Sequence, residues 1–454
     1  MSLQREFESI LENIPSSFSQ FSKDLDPTFI DQALNETGTM SIRRRKLPAS
    51  VGVWLIIGMG LLRDRSTKEV VQHLGLVYNP KNKRKSSLEN TPLNSISSSA
   101  IPQCREKLGS EPLQQLHKAT ALHWAAASTA LNEWRGLSLY GIDGTTHRVP
   151  DTDENRNEFG KPYSRRGDSG YPLVRQVTVM TLRTHIIVGA STGRYRGKGQ
   201  GEQSLAQELW STVPDHSITL MDKGFINFHQ LHRLNQNGTQ RHWLVAAKGN
   251  ITGELREGLG IGDAIMEVKL NSKARKLDPS LPPTMRLRVL AYCTPDGKSR
   301  YLFTSLLDSS KYPADELIEL YHLRWEMELG YDDIKTHMLC REEALRSKKP
   351  DGVRQELWGV LIAYNLVRIQ MLRVAETIGI PPLRVSFTHT LRLIQVFCTV
   401  HAWMTPPSKI PARIDELTAM ASLFILPERA SNRRNKRHVK IKMSKYPRNV
   451  GKQG

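Results

Sequence analysis

The stretch Leu137-Ser-Leu-Tyr-Gly-Ile142-Asp143-Gly144-Thr145 decides how the chain is read. Its first six residues alternate with the period of a strand that has one face in a core. The alternation stops at an acid followed by glycine. Outward from it, 172–182 and 185–190 read as two more strands joined tightly at Arg183-Thr184, so the three form an antiparallel meander. A helix over 201–210, a strand over 217–221 running into Asp222-Lys223-Gly224-Phe225, a helix over 227–234 and a strand over 241–247 follow. Three strands and then alternating helix and strand predict a mixed α/β sheet of the RNase H type. Chemistry in open α/β sheets gathers at strand ends, and Asp143 and Asp222 each stand where an apolar strand meets a Gly-containing turn. An Asp in that setting also serves simply to form the turn.

Further on, 313–338 reads as one helix. At about 100° per residue, Tyr321, Arg324, Glu328 and Lys335 fall at about 0°, 300°, 340° and 320°, an arc of roughly 60°. Leu320, Leu323, Met327, Tyr331 and Ile334 occupy the adjoining flank, so the helix can be anchored in a core while its polar face looks into a cleft. The same charges also suit a solvated face with pairs between neighbouring turns.

Around these elements the chain divides into five parts. Residues 1–110 are basic and mostly helical: helices at 26–34 and 48–62 bracket Arg43-Arg44-Arg45-Lys46, and Ser66-Thr-Lys-Glu69 matches a capping box. A polar break at 79–87 precedes a short helix over 97–107. A helix-turn-helix reader of DNA and an ordinary helical bundle give the same periodicity here. A long Ala-rich helix at 111–134 opens the first part of the core, 111–249. Three β-like runs, 264–270, 285–293 and 300–306, make 250–306 a β-rich insertion before the second part of the core, 307–427, with helices at 351–378 and 387–404. The last part, 428–454, loses the apolar pattern and carries nine Lys and Arg between Arg433 and Lys452 with no acid, as expected of a disordered tail that releases counterions from nucleic acid.

Composition narrows the function. The 454 residues, 39% hydrophobic, are enough to bury more than one domain-sized core. Lys and Arg number 64 against 45 Asp and Glu, a formal +19 that favours a polyanionic partner such as nucleic acid. A membrane surface fits less well, because the apolar run 51–62 is too short to span a bilayer and has basic flanks. The N-terminus lacks a secretory layout, and Cys104, Cys293, Cys340 and Cys398 are single and widely spaced, which together predict a reducing cytoplasm and no cysteine zinc site. There is no His-Glu-x-x-His, no Gly-Lys-Ser/Thr phosphate loop, and Arg196-Gly-Lys-Gly-Gln-Gly201 misses the dinucleotide spacing.

What remains is Asp143, Asp222 and Glu328, separated by 79 (222 − 143) and 106 (328 − 222) positions. Oxygen-only ligands suit Mg²⁺, with Mn²⁺ as substitute, and such ions take further ligands from water and substrate phosphate. Two of them serve an in-line displacement at phosphorus. On this reading Arg324 and Lys335 hold flanking phosphates.

These residues resemble a known family, the DDE transposases of bacterial insertion sequences in the branch named for insertion sequence four. Its signature Tyr-(2)-Arg-(3)-Glu-(6)-Lys is met by Tyr321, Arg324, Glu328 and Lys335, its first aspartate by Asp143-Gly144-Thr145 and its second by Asp222-Lys223-Gly224-Phe225. Residues 33–48 and 345–357 are similar to the segments at its two ends, so nearly the whole chain is covered. The resemblance implies an RNase H-like core with a β insertion behind a helical DNA-binding domain, and divalent metal on the three carboxylates. It also implies phosphate grip by Tyr321, Arg324 and Lys335, a dimer on paired transposon ends of double-stranded DNA, and cut-and-paste movement, in some members through hairpins. Two departures stand out. Relatives place a Trp in the insertion to hold a flipped base, whereas 250–310 has none and offers Tyr292, Tyr301 and Phe303; where relatives put an Arg before the insertion, this chain has Lys248. A non-catalytic DNA-binding relic and a structure-specific nuclease on the same core are the competing expectations.

Overall fold

A computed structural model describes residues 18, 21, 24–40, 47–73, 77–79, 95–97, 99–164, 167–168, 170–197, 199–249, 253–294, 297–340, 344–401 and 410–428. The basic run at 43–46, most of the break at 79–87 and the tail after 428 therefore lie outside the described residues.

The centre is a ten-stranded mixed sheet. Its first three long strands, β1 (Leu137–Arg148), β2 (Leu173–Thr181) and β3 (Ile187–Arg194), form the antiparallel meander, and the two-residue strand Glu133–Trp134 pairs with the start of β1. On the other side of β1, β4 (Ser217–Met221) and β5 (Arg241–Ala246) run parallel to it. The order β3-β2-β1-β4-β5 fits the RNase H-like arrangement expected from the sequence. The insertion then continues the same sheet rather than standing apart: β6 (Glu254–Gly260), β7 (Asp263–Lys269), β8 (Thr284–Cys293) and β9 (Ser299–Thr304) follow, with β9 antiparallel to β5. Strand β6 was not expected. Its Glu-Leu-Arg-Glu-Gly-Leu-Gly is exposed along almost its whole length and broken by two register shifts, the charged, irregular edge that discourages further pairing and carries no apolar alternation to read.

Helices cover both faces. On one lies α7 (Glu202–Leu209), where Gly189 and Gly193 of β3 leave room for Leu209 and Leu205. On the other lie α10 (Ala314–His322) and α11 (Trp325–Asp332), with Met327 of α11 over Gly141 and Gly330 against Met180. Behind α11 runs α12 (Pro350–Ile378), whose Asn365 bonds both backbone groups of Ile187, at 3.0 and 2.9 Å, and so covers edge strand β3. At 29 residues α12 is long and apolar enough to cross a membrane, but its most apolar window is 94% buried inside the protein.

The N-terminal helices α1 (Pro27–Glu36), α2 (Ala49–Leu61), α3 (Thr67–His73), α4 (Ala100–Leu108) and α5 (Glu111–Ala127) precede α6 (Asp153–Phe159) and α7 in chain order. Helix α2 is apolar all round and correspondingly buried. It crosses α12 closely at Gly60 and Gly359, where a Cβ on Gly359 would lie 2.5 Å from Ile56 Cγ2 and 2.9 Å from the Ile56 carbonyl oxygen. Beside that crossing, buried Arg63 donates to Glu356 at 2.6 Å. The remaining helices are α8 (Phe228–Gln236), α9 (Ser272–Leu277), α13 (Phe387–Val396) and α14 (Ile410–Ala421).

Two expectations near the site need correcting. The helix over 313–338 is three pieces: α10, α11 and a π-helical turn, Asp333–Met338. Between α10 and α11 the amides of Leu323, Arg324, Glu326 and Met327 each bond three residues back instead of four, which tightens the chain. Strand β1, for its part, does not end at Asp143 but continues five residues to Arg148. Gly144 is therefore no turn residue. A Cβ there would sit 2.5 to 2.6 Å from the Glu202 side chain, so glycine leaves the room that this side chain takes up where α7 approaches.

Candidate active site

The site forms where the short strand β4 stops beside the longer β1. Ile142 pairs with Met221 as the last rung of the parallel ladder, so the next residues, Asp143 and Asp222, stand side by side at about the 4.8 Å strand spacing. Each carboxylate accepts a backbone N–H from a following glycine, Asp143 from Gly144 at 2.8 Å and Asp222 from Gly224. Asp143 pairs with Thr178 of β2, and both face α11, where the Tyr331 hydroxyl donates to the Asp143 carbonyl at 2.6 Å and lies 2.8 Å from the Thr178 hydroxyl. Burial pushes the Asp143 carboxyl up to about 6, with Glu202 and Asp222 adding to the rise while the Gly144 N–H and Arg324 oppose it.

From α11, Glu328 accepts a hydrogen bond from Arg324 Nη2 at 3.0 Å, and Arg324 is close enough to Asp143 for each to favour the other's charge. Arg324 thus stands between the glutamate and the aspartates. Tyr321 is mostly buried, its hydroxyl donating to the Met221 carbonyl at 3.3 Å, and burial pushes its pKa to about 12. That bond ties the start of the catalytic segment to the residue just before Asp222. Lys335 sits farther off, beside His147 of β1, whose pKa burial lowers to about 4 with a contribution from Lys335. His147 is four residues past Asp143, about 13 Å along the strand. Lys248 is half-buried just past the end of β5. Of the three aromatic residues of the insertion, Phe303 is packed in the core at 3% exposure, Tyr301 is exposed, and half-buried Tyr292 is the one near Tyr321.

Comparison with known proteins identifies the family. Residues 134–366 match the transposase DDE domain, and residues 15–118 match the insertion element 4 transposase N-terminal domain. The chain is 36% identical over 425 residues to the transposase InsG for insertion sequence element IS4 of Escherichia coli (strain K12), covering 93% of this chain and 92% of that one. This chain belongs to the insertion-sequence-four family of DDE transposases. It is an insertion-sequence transposase, an enzyme of DNA phosphoryl transfer. A shorter relative in the same organism, InsZ, is 34% identical over 244 residues, 54% of this chain and 76% of that one. The solved piggyBac transposase synaptic complex with hairpin DNA matches at a TM-score of 0.44 and 13% identity over 92% of this chain and 87% of that one, a likeness too distant to bear on the site.

DDE transposases depend on divalent metal, and the donors of this transposase fit one. They are all oxygen, two of them adjoin at the strand ends, and Asp143, whose charged form burial disfavours and the neighbouring Glu202 and Asp222 disfavour further, would gain from a cation. Yet among the described residues no three acidic, histidine or cysteine side chains converge on one point, and Glu328 is paired with Arg324 instead. Sequence reading missed Glu202 and Gln203 at the start of α7. Glu202 lies across Gly144, and the Gln203 amide donates to the carbonyls of Gly224 and Ile226 at 2.6 and 3.2 Å, holding the Asp222 turn. The signal was present in Gly201-Glu202-Gln203, which opens a helix, but nothing in one sequence says that this helix end abuts both aspartates.

Proposed function

We propose that this transposase binds the terminal inverted repeats of its element as a homodimer and cuts and rejoins DNA with Mg²⁺, Mn²⁺ substituting, at Asp143, Asp222 and Glu328. The observation that carries the reading is the ladder register that sets Asp143 beside Asp222 on the sheet face covered by α11. Asp143, Asp222 and Glu328 would hold such ions, which when bound would supply activation of the attacking oxygen and stabilisation of the leaving one in an in-line displacement. The chain's own residues supply the rest. Arg324, whose guanidinium can grip two phosphate oxygens in a fixed fork, passes from Glu328 to the scissile phosphate when DNA enters. Lys335 and Lys248 hold phosphates at greater distance. Tyr321 keeps the Asp222 strand end in place and reaches a phosphate only by releasing the Met221 carbonyl. Tyr292 is the insertion aromatic best placed to stack on a displaced base if the element leaves through a hairpin. Residues 1–110 read the ends, 111–249 and 307–427 form the core around the 250–306 insertion, and the basic 428–454 tail adds salt-sensitive affinity in the bacterial cytoplasm at the nucleoid.

The test is incubation with DNA bracketed by the element's own inverted repeats, with products separated on a denaturing gel as nicked, hairpin and double-cut species. Metal-dependent nicks at the element boundary are expected. Tight end binding with no cleavage in Mg²⁺ or Mn²⁺ would make the protein a DNA-binding relic, and cleavage indifferent to the end sequence would make it a structure-specific nuclease.

A further inference from the structure

Arg368, midway along α12, is a buried guanidinium with no place in the chemistry above. Its Nη2 donates to the Asp333 carboxylate and, at 3.0 Å, to Nδ1 of His185, while its Nε donates to the Tyr364 hydroxyl at 3.0 Å. The rings of Tyr364 and Phe387 lie 5.0 and 4.8 Å from its carbon. Since an arginine only donates, His185 accepts at Nδ1 and carries its proton on Nε2, which lies 2.9 Å from Glu326 Oε2 and donates to it. His185 holds this bridge from the β2–β3 hairpin with φ of 59°, in the left-handed region. One guanidinium therefore grips the catalytic segment twice, at Glu326 through His185 and at Asp333 directly.

Those two carboxylates are seven residues apart, nearly the same direction on a helix, and Glu328 lies about 140° to 160° around from them. They are the back of α11 and Glu328 is its front. Because the tightened turn at 323–327 separates α11 from α10, the roll of α11 is not inherited from the preceding helix and must be fixed by its own contacts. We propose that Arg368 is a positioning residue for Glu328: it sets the roll of α11 about its axis and hence the direction from which Glu328 meets the two aspartates. The inference rests on the reading of Glu328 as a metal ligand.

The test is Mn²⁺ binding, followed by electron paramagnetic resonance on the full-length protein bound to end DNA, beside thermal melting of the same samples. Glu328→Ala should weaken Mn²⁺ binding, and Arg368→Met should weaken it by about tenfold or more, the usual cost of losing a residue that orients a ligand. Arg368→Lys, which can reach Asp333 but not His185 as well, should fall between. Adding Arg368→Met to Glu328→Ala should cost nothing further, since the roll no longer matters once the carboxylate is gone. Should Arg368→Met fail to fold, Arg368→Lys with and without Glu328→Ala makes the same comparison. Folded Arg368 variants that bind Mn²⁺ as tightly as the wild type, or losses that multiply in the double variant, would overturn the positioning role alone. No effect of Glu328→Ala would instead overturn the carboxylate assignment, and this inference with it.

Discussion

The two halves of the site are placed by different forces. Asp143 and Asp222 are set by backbone: five rungs of parallel ladder from Ser138–Ser217 to Ile142–Met221 leave the two acids adjacent whatever their side chains do. Glu328 is set by side chains, on a helix with a tightened turn before it and a π-helical turn after it, held by Arg324 in front and tied behind to Arg368. A ladder cannot slip by one residue without turning every side chain to the other face, whereas a helix can roll. The pair is thus preorganised, and on the proposed reading the third carboxylate is the movable member, completing the site when Arg324 leaves it for a phosphate.

That contrast is sharpened first by removing each acid in turn. Asp143→Asn, Asp222→Asn and Glu328→Gln should each lower metal-dependent end cleavage by about a thousandfold or more, roughly 4 kcal/mol of barrier, with end binding by gel shift changed only a few-fold. Near-normal cleavage by any one removes that residue from the site. The ladder side can be strained without touching an acid. Gly144→Ala puts a methyl group into Glu202 and should destabilise the fold by about 1–3 kcal/mol, as overpacking does. Glu202→Ala in the same chain should relieve most of that loss in a denaturant melt; no relief would mean the glycine serves something else.

The helix side should respond through its guanidinium. Arg324→Lys keeps the charge but loses the fork, so the initial nick is expected to persist while hairpin or second-strand cutting slows about tenfold, near 1.4 kcal/mol. Equal slowing of both steps in a time course would tie Arg324 to the fold or to the acids instead. The smallest effect expected is on pH dependence. The folded protein without metal holds a proton on Asp143 up to about pH 6, whereas the unfolded chain releases it near 3.8. The folded state binds the extra proton in that window, so this group's contribution to stability falls as pH rises from about 4 to 6. Relative to Asp143→Asn, the wild type should lose stability across that range in chelator, and Mg²⁺ should reverse the loss. A flat difference would show that Asp143 is not crowded.

Much of this was legible in the sequence because it rests on local pattern. Alternation gave the meander and β4, whereas the one polar helix face read for Tyr321, Arg324, Glu328 and Lys335 is divided among α10, the tightened turn, α11 and the π-helical turn. What was not legible depends on contacts between distant segments. Asp143-Gly144 looks like a turn in one dimension; only the arrival of Glu202 from α7 shows that the strand runs on and the glycine makes room. Strand β6 has charges on both faces and hid in the sequence for the reason it is safe at a sheet edge. The seam at 323–327 contains neither proline nor glycine, the usual marks of a break. Nothing in the sequence singles out Arg368, whose buried bridge to Asp333 and His185 joins segments 35 and 183 residues apart.

The central claim, that a backbone-placed aspartate pair is completed by a movable glutamate, is tested most directly by the crystal structure of the protein with end DNA and Mn²⁺, located by anomalous scattering. The account predicts manganese within about 2.2 Å of Asp143, Asp222 and Glu328 oxygens, with the 3.0 Å bond between Arg324 and Glu328 broken and the guanidinium on a phosphate. Manganese held by the aspartates alone, with Glu328 still paired to Arg324, would contradict it.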